Sequence, residues 1–184
     1  GHVARAVGAE VPGARPASLA DNHTSTLDVV RHAVGVWLSE MDPEAPLWVI
    51  YPTALLLSPG VLREASARFR DADADFLLSV LRFPHPIERR LLIDSSGLVK
   101  PVDPTHMLSR TQDLTPSFHD AGQFYVGRIH AWRASSPLES ARTVGFELPI
   151  HTAVDIDEPD DWARAELLAQ IRTVADSTDS DAKS

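Results

Sequence analysis

Short apolar runs alternate with amphipathic segments through the first half of the chain. Residues 47–51 are all apolar and residues 76–81 nearly so, which is typical of strands buried on both faces of a parallel sheet. Residues 26–40 carry apolar side chains at helical spacing, with Ser25 placed as an N-cap. Ser58-Pro59 opens a further helix that runs to about residue 70. This alternation of helix and strand predicts an α/β fold with a mostly parallel sheet.

The two ends of the chain carry shorter signals. Residues 2–7 predict a helix that ends at Gly8, and residues 9–11 predict a short strand. Pro159, followed by acidic residues, predicts the start of the last helix. Its buried stripe is expected to consist of Leu167, Ile171 and Val174.

The middle of the chain has a different pattern. The prolines in residues 83–86 exclude a regular helix there. Residues 91–93 and 98–99 flank Asp94-Ser95-Ser96-Gly97, which predicts a β-hairpin. We therefore predict a small arm, at about residues 83–109, that projects from the sheet.

The remaining pattern defines one domain. Residues 123–127 and 144–148 predict two further strands, so the domain extends over residues 1–175. Residues 176–184 are Ser, Asp, Thr, Lys and Ala without an apolar anchor, which predicts a disordered tail.

Composition narrows the class of protein. A net charge of −9 argues against non-specific nucleic-acid binding. No apolar run approaches the ~20 residues of a membrane span. Cysteine is absent, which excludes disulfides and thiolate metal sites and agrees with the cytoplasmic location that we predict. The chain contains no Walker motif, no Gly-x-Gly-x-x-Gly and no Gly-x-Ser-x-Gly.

Polar groups that could carry chemistry follow several predicted strands. Asp155 and Asp157 alternate at a strand end, so both carboxylates could face one Mg²⁺, a cation that prefers oxygen ligands. The alternative is that these acids cap the following helix, and the two residues alone favour capping. Arg110 could bind a substrate carboxylate with its planar guanidinium, or form an ordinary surface ion pair.

Taken in order, these segments resemble the acylneuraminate cytidylyltransferases, and the pseudaminic acid branch most of all. The matching pieces are Arg15-Pro16-x-x-Leu19-Ala20-Asp21, Ile50-Tyr51-Pro52-Thr53-Ala54, Phe83-Pro84-x-Pro86-Ile87-Glu88-Arg89, Arg110-Thr111-Gln112-Asp113-Leu114, His119-Asp120-Ala121-Gly122-Gln123-Phe124-Tyr125 and Asp155-Ile156-Asp157-x-Pro159-x-Asp161-Trp162. The resemblance implies a three-layer, Rossmann-like fold of the nucleotide-diphospho-sugar transferase type. It also implies a homodimer formed through the arm.

The resemblance further implies a reaction and a site. CMP is transferred from CTP to the anomeric hydroxyl of a nonulosonic acid, pseudaminic or sialic acid, and pyrophosphate leaves. Asp155 and Asp157 match the catalytic aspartates that bind Mg²⁺. Among the implied substrate-binding residues, Arg15 contacts cytosine, Arg110 binds the sugar carboxylate, and Arg89 reaches the site from the partner's arm. Gln123, Phe124 and Tyr125 form the floor of the sugar pocket. Gln112 and Asp120 complete the implied set.

Two departures from the family pattern carry expectations of their own. Leu55 stands where a proline usually follows Tyr-Pro-Thr-Ala. The glycine- and lysine-rich phosphate loop at the start of family members is not among these 184 residues, so we expect an N-terminally incomplete domain that is inactive by itself. Two alternatives stay open: a non-catalytic remnant that binds sugar or dimerises, and a nucleotidyltransferase for another acid sugar or nucleotide.

Overall fold

The computed structural model describes residues 1–21, 23–140 and 142–181. They form two compact units, each assembled from three segments of the chain. The first unit contains Gly1–Val49, Phe69–Leu77 and Tyr125–Val144, and the second contains Ile50–Arg68, Leu78–Phe124 and the chain from Gly145 onward. The division into a domain at residues 1–175 and a disordered tail stays a prediction. The last helix continues through Asp181, and residues 182–184 lie outside the described part of the chain.

Helices and strands alternate as the sequence predicts. Within the described residues the α-helices are α1 (His2–Ala6), α2 (Thr26–Val36), α3 (Pro59–Asp71), α4 (Ile129–Ala134) and α5 (Pro159–Asp181). The strands are β1 (Pro46–Ile50), β2 (Phe76–Arg82), β3 (Leu91–Ile93), β4 (Val99–Pro101), β5 (Phe118–Arg128) and β6 (Thr143–Glu147). Short 3₁₀ helices occupy Ala17–Leu19, Ile87–Arg89, Pro104–His106 and Thr111–Asp113.

Four strands form the main sheet in the order β1-β5-β2-β6. The amide of Phe76 donates to the carbonyl of Arg142, and the amide of Leu148 donates to the carbonyl of Val80. Both partners advance along the chain together, so β2 and β6 are parallel.

The direction of β5 is opposite to that of its two neighbours. Toward β1, the amide of Tyr51 donates to Gln123 and the amide of Ile129 donates to Ala45, so one partner advances as the other retreats. Toward β2, Phe83 with Ser117 and Arg128 with Asp75 show the same reversal. Strands β1, β2 and β6 therefore share one direction and β5 runs against them, so the sheet is mixed. The predicted α/β fold is confirmed.

The first unit has its core between α2, α4 and the strands. Its buried members are Val30, Val34, Phe76, Ile129, Ala131 and Trp132. The rings of Phe76 and Trp132 meet edge to face, with their centroids 5.0 Å apart. Gly127 faces both rings, and a Cβ there would overlap them. A glycine at this position therefore allows the rings of Phe76 and Trp132 to pack against the backbone of β5.

One apolar cluster of the second unit is formed by Leu56, Val154 and Ala165, with Ile156 and Leu168 packed against it. Ala165 and Leu168 belong to α5, whereas Leu167 and Ile171 are 61% and 65% exposed. The predicted stripe is therefore wrong for those two residues, since the short side chain of Ala165 brings the neighbouring face of α5 inward. Val174 lies where side chains are not described.

Three other sequence-based expectations need correction. Residues 9–11 form no strand, because the amide of Ala9 donates to the carbonyl of Ala4 and closes the end of α1. Helix α2 ends at Val36 rather than residue 40, with the chain turning after Trp37. Strand β1 has no fully buried residue, because it lies at an edge of the sheet.

The arm is present as a two-stranded antiparallel hairpin in the second unit. Leu91 pairs with Pro101 and Ile93 pairs with Val99. Among the described residues, every helix is too short or too polar to cross a lipid bilayer.

Candidate active site

The carboxylate of Asp155 lies directly over the backbone of Gly122 in the second unit. A Cβ added to Gly122 would be 2.6 Å from Oδ1 of Asp155 and 2.8 Å from Oδ2. Gly122 also has a φ of +61°, in the left-handed region that glycine adopts without strain. The sequence His-Asp-Ala-Gly thus provides both a left-handed backbone position within β5 and the space that brings a carboxylate against this strand.

Strand β5 fixes the neighbouring polar groups. The amide of Gly122 donates to Oδ1 of Asp120 at 3.0 Å. The side-chain amide of Gln123 donates to the carbonyls of Ala121 and Val154, each at 3.0 Å. This second bond ties β5 to the residue that immediately precedes Asp155.

Gln123 is 1% exposed, and its Oε1 has no hydrogen-bond partner among the described residues. A buried acceptor without a partner costs free energy, about 1–3 kcal/mol. A ligand hydroxyl or amide that reached this oxygen would remove that cost. Gln123 is therefore suited to accept a hydrogen bond from a substrate.

The electrostatics of the site are dominated by carboxylates. Burial raises the pKa of Asp155 above its ordinary value, and the nearby charges of Asp157, Asp120 and Asp161 raise it further, while His119 opposes the rise. Like charges at close range disfavour joint ionisation, so a bound cation would stabilise this cluster.

Helix α5 is capped by Asp161. Its Oδ2 accepts hydrogen bonds from the amides of Asp157, at 3.2 Å, and Glu158, at 3.0 Å. The capping role that the sequence allowed for Asp155 and Asp157 is thus carried by another acid one turn later. Both of the predicted metal-binding carboxylates are exposed residues beside this helix start.

Asp155 and Asp157 have the chemistry of a Mg²⁺ site, because both offer carboxylate oxygens and their charges repel each other. In the part of the chain that the structure describes, no three His, Asp or Glu side chains are arranged to hold a metal. Two protein carboxylates with substrate phosphates as further ligands is a common arrangement for Mg²⁺.

The arm and the following loop place three more of the predicted residues in the second unit. Nη1 of Arg89 donates to Oγ1 of Thr111 at 3.4 Å, and its buried Nε has no partner among the described residues. Arg110 precedes the 3₁₀ helix Thr111–Asp113, and its side chain and that of Gln112 are exposed. A guanidinium in this position is accessible to a dissolved anion.

The remaining predicted site residues are Arg15, Phe124 and Tyr125. Arg15 is exposed in the first unit, before the 3₁₀ helix Ala17–Leu19. Phe124 is fully buried, with its ring 6.1 Å from that of Phe146. Tyr125 is half-buried and packs with Trp132 in the core of the first unit, at 6.5 Å between centroids. Their contacts with sugar or nucleotide stay predictions.

A pocket of about 400 Å³ opens in the second unit at the carboxyl ends of β2 and β6. Its walls come from residues 82–86, 114–117 and 147–150, with Thr111. It therefore occupies the edge of the sheet where ligands bind in α/β proteins. Gln123, Phe124 and Tyr125 are not among its lining residues.

The supporting roles of two residues were not predicted from the sequence. Ser79 is fully buried, and its Oγ accepts from the amide of Phe124 at 3.1 Å. A single hydroxyl inside an apolar strand is the signal that could have drawn attention to it. The sequence did indicate acids in the first turn of α5, where Asp161 lies, but not that Asp161 accepts the two amides at the helix start.

Comparison with known proteins identifies the family of this chain. No protein-family profile matches the chain. Two pseudaminic acid cytidylyltransferases of Campylobacter jejuni subsp. jejuni, serotypes O:2 and O:23/36, are 32% and 31% identical to it over 169 residues, covering 92% of this chain and 73% of each relative. A Helicobacter pylori protein, "Pseudaminic acid cytidylyltransferase and UDP-2,4-diacetamido-2,4,6-trideoxy-beta-L-altropyranose hydrolase", is 26% identical over 148 residues, which are 80% of this chain and 28% of that protein.

The Rossmann-like α/β fold and these relatives define the chain as a nucleotidyltransferase. It belongs to the pseudaminic acid cytidylyltransferase family. The resemblance drawn from its motifs is confirmed at this level.

Proposed function

We propose that this protein transfers CMP from CTP to the anomeric hydroxyl of a nonulosonic acid, pseudaminic acid or the related sialic acid, and releases pyrophosphate. The observation that carries the proposal is the carboxylate of Asp155, placed over Gly122 beside Asp157 and Asp120. The names of the C. jejuni relatives support the choice of nucleotide and sugar.

The substrates would use the polar groups of this site and the residues around it. Gln123 offers its Oε1, which has no hydrogen-bond partner in the described part of the chain, to a sugar hydroxyl or amide. Arg110 offers a bidentate guanidinium to the sugar carboxylate. The further substrate-binding residues that we propose are Gln112, Asp120, Phe124 and Tyr125 for the sugar side and Arg15 for cytosine.

Asp155 and Asp157 would hold one Mg²⁺, which supplies positive charge that stabilises the phosphates as charge moves to the leaving pyrophosphate. The protein's part is to present two carboxylates at fixed positions and to hold the sugar. Asp161 supports this by fixing the amide of Asp157 at the start of α5.

A coupled pyrophosphate assay tests the reaction. The protein, expressed from its complete reading frame, is incubated with CTP, Mg²⁺ and pseudaminic or sialic acid, and we expect sugar-dependent pyrophosphate release. The polypeptide of 184 residues alone, with its mass confirmed, is expected to release none, because it contains no glycine-rich phosphate loop. Steady turnover by that polypeptide would mean that another of its segments grips the phosphates.

Asp157→Asn tests the metal assignment. The substitution removes one charge with little change of shape, and we expect turnover to fall about 100-fold or more, the scale of electrostatic transition-state effects. Asp160→Asn removes an equally exposed charge on α5 and serves as the control. Near-normal turnover of Asp157→Asn at saturating Mg²⁺ would exclude the assignment.

The arm supports a homodimer in which each hairpin reaches the partner's site. Both strands of the hairpin are exposed along their whole length, and an isolated two-stranded hairpin is at best marginally stable. Arg89 lies at the base of the arm, and its buried Nε has no hydrogen-bond partner among residues 1–21, 23–140 and 142–181. We propose that the arm covers the partner and that Arg89 adds positive charge to its site.

A different nucleotide or acid sugar would produce a different binding profile. A thermal-shift panel of CTP, UTP, ATP and GTP, each with Mg²⁺, separates these possibilities. Stabilisation by CTP alone supports the cytidylyltransferase. A shift with sugar but with no nucleotide would favour a sugar-binding protein without catalysis.

A further inference from the structure

The imidazole of His119 is held in one orientation by two contacts. Its Nδ1 lies 2.8 Å from the carbonyl oxygen of Asp120. Its ring packs on that of Phe83, with centroids 4.8 Å apart and the planes at 52°. Because a carbonyl oxygen can only accept, Nδ1 carries the hydrogen, and the neutral ring keeps its lone pair on Nε2. His119 therefore presents a defined proton acceptor.

That acceptor belongs to the candidate active site. His119 precedes Gly122 by three residues on β5, and it lies close enough to Asp155 for a positive charge on its imidazole to lower the pKa of that carboxyl group. The ring of Phe83 that supports His119 also lines the pocket of about 400 Å³. His119 is an exposed residue, so a bound substrate can reach Nε2.

We propose that His119 is the general base of the transfer, an inference that rests on the proposed function. Nε2 takes the proton of the anomeric hydroxyl as the sugar oxygen bonds to the α-phosphorus. The bond from that phosphorus to the bridging oxygen breaks, and pyrophosphate leaves with the electron pair. The proton remains on Nε2 until it passes to solvent.

The surroundings suit an imidazole that becomes positively charged during the reaction. The acidic groups that act on Asp155 beside it are Asp120, Asp157 and Asp161, and the Phe83 ring that packs on the imidazole carries no charge of its own. Asp120 is a poorer candidate for the base because its Oδ1 already accepts the amide hydrogen of Gly122. Imidazole accepts protons near neutral pH, which a general base requires.

The first test needs no turnover. The protein is labelled with ¹⁵N-histidine, and the signals of His119 are assigned by their loss in His119→Gln, with His2→Gln as an exposed control. We expect the neutral ring to be protonated on Nδ1, and added acid sugar to shift the Nε2 signal more than the Nδ1 signal. A ring protonated on Nε2, or an Nε2 signal unmoved by saturating sugar, would overturn the proposal.

The second test is kinetic and uses the protein from its complete reading frame. In His119→Asn the side-chain amide can keep the hydrogen bond to the Asp120 carbonyl, and in His119→Gln it can place a polar atom near the position of Nε2. Neither side chain accepts a proton. We expect His119→Asn and His119→Gln each to lower kcat by about 10²–10⁴, with a smaller effect on the sugar KM. Added imidazole should restore part of the kcat of His119→Ala.

The outcomes separate this role from the proposed function. If the wild type turns over while His119→Asn keeps a normal kcat, His119 is structural and the cytidylyltransferase proposal stands. If the wild type binds no acid sugar and releases no pyrophosphate with any acid sugar, the proposed function is refuted. The proposed role of His119 is then refuted as well.

Discussion

At the scale of single residues, the contact between Asp155 and Gly122 organises the candidate site. The two residues are far apart in the chain, yet the carboxylate occupies the space where any other residue would have its Cβ. The positive φ of Gly122 adds a second requirement for glycine. The identity of one small residue therefore decides where a charged group lies.

Gly122→Ala should be unusually destabilising. The left-handed conformation costs a non-glycine residue about 1–2 kcal/mol, and the new Cβ would in addition displace the carboxylate of Asp155. We expect a loss of more than about 2 kcal/mol in the free energy of unfolding, measured by urea denaturation.

Two other glycines supply matched controls for this substitution. Gly97 has a φ of +83° but open space around it, so Gly97→Ala should cost only the conformational part. Gly35 lies in helix α2 with open space, so Gly35→Ala should stabilise by about 0.5–1 kcal/mol. If Gly122→Ala costs no more than Gly97→Ala, the carboxylate of Asp155 is not held over Gly122.

Arg110→Lys should weaken sugar binding selectively. A guanidinium can bind a carboxylate at two points and an ammonium cannot, so we expect the sugar KM to rise about tenfold, ~1.4 kcal/mol, with CTP affinity unchanged. Arg63→Lys, on the exposed surface of α3, is the control. Equal losses for both ligands would assign Arg110 a structural role.

The sequence predicted which residue types cluster at this site but not how they meet. Motifs such as Asp155-x-Asp157 are local and therefore visible along the chain. The position of Asp155 over Gly122 results from packing between segments distant in sequence. So does the burial of Gln123 Oε1 away from every partner that the structure describes. Asp161 accepts the amides at the start of α5, and this role depends on backbone geometry that the sequence does not show.

At the scale of elements, the hairpin of the arm depends on one aspartate. Oδ1 of Asp94 accepts from Oγ of Ser96 at 2.6 Å and from the amides of Ser96 and Leu98 at 2.9 and 3.1 Å. Lys100 adds an exposed ion pair at 3.8 Å. The Asp-Ser-Ser-Gly pattern allowed this turn to be predicted because all its interactions are local.

The hairpin should loosen in acid. The hydrogen bond from the Ser96 side chain, followed by those from the Leu98 and Ser96 amides, lowers the pKa of Asp94 below its ordinary value. A lowered pKa contributes stability that is fully present above the unfolded value, about 3.9, and is lost as pH falls through the folded value.

Two NMR measurements check this behaviour. A carboxyl ¹³C titration should place the Asp94 pKa below 3.8, the ordinary value. Exchange of the Leu98 amide should accelerate once Asp94 is protonated. Asp94→Asn keeps an acceptor but loses the charge, so its exchange rate should not follow this transition. A titration at the ordinary value would contradict the turn geometry.

Elements whose environment is set by long-range packing were predicted less well. The all-apolar run of β1 indicated burial on both faces, but a strand at the sheet edge has only one neighbour. In α5, amphipathic spacing suggested Leu167 and Ile171, while Ala165 faces the core. Periodicity identifies a helix reliably, but the face that packs also depends on side-chain size at the contact.

At the scale of the whole molecule, exposed apolar surface is concentrated on the arm. Leu92, Ile93 and Leu98 are 63%, 72% and 62% exposed. Contiguous apolar surface on a monomer commonly marks an interface. A two-fold dimer buries the same patch on both copies, so each arm would cover equivalent surface of its partner.

Ile93→Glu should therefore shift the protein from dimer to monomer. A charge buried without a partner in an apolar interface is strongly unfavourable, so light scattering at tens of micromolar should give a dimer mass for the wild type and a monomer mass for the variant. Leu138→Glu places the same charge at a 75% exposed site outside the arm and should remain dimeric. Because Arg89 is proposed to act on the partner's site, monomeric Ile93→Glu should also lose turnover. Mixing it with an excess of Asp157→Asn protein should restore part of that turnover, because a mixed dimer supplies the Ile93→Glu subunit, whose own aspartates are intact, with an intact arm from its neighbour. A wild-type monomer with the arm intact would refute the dimer and, with it, the role of Arg89 in the partner's site.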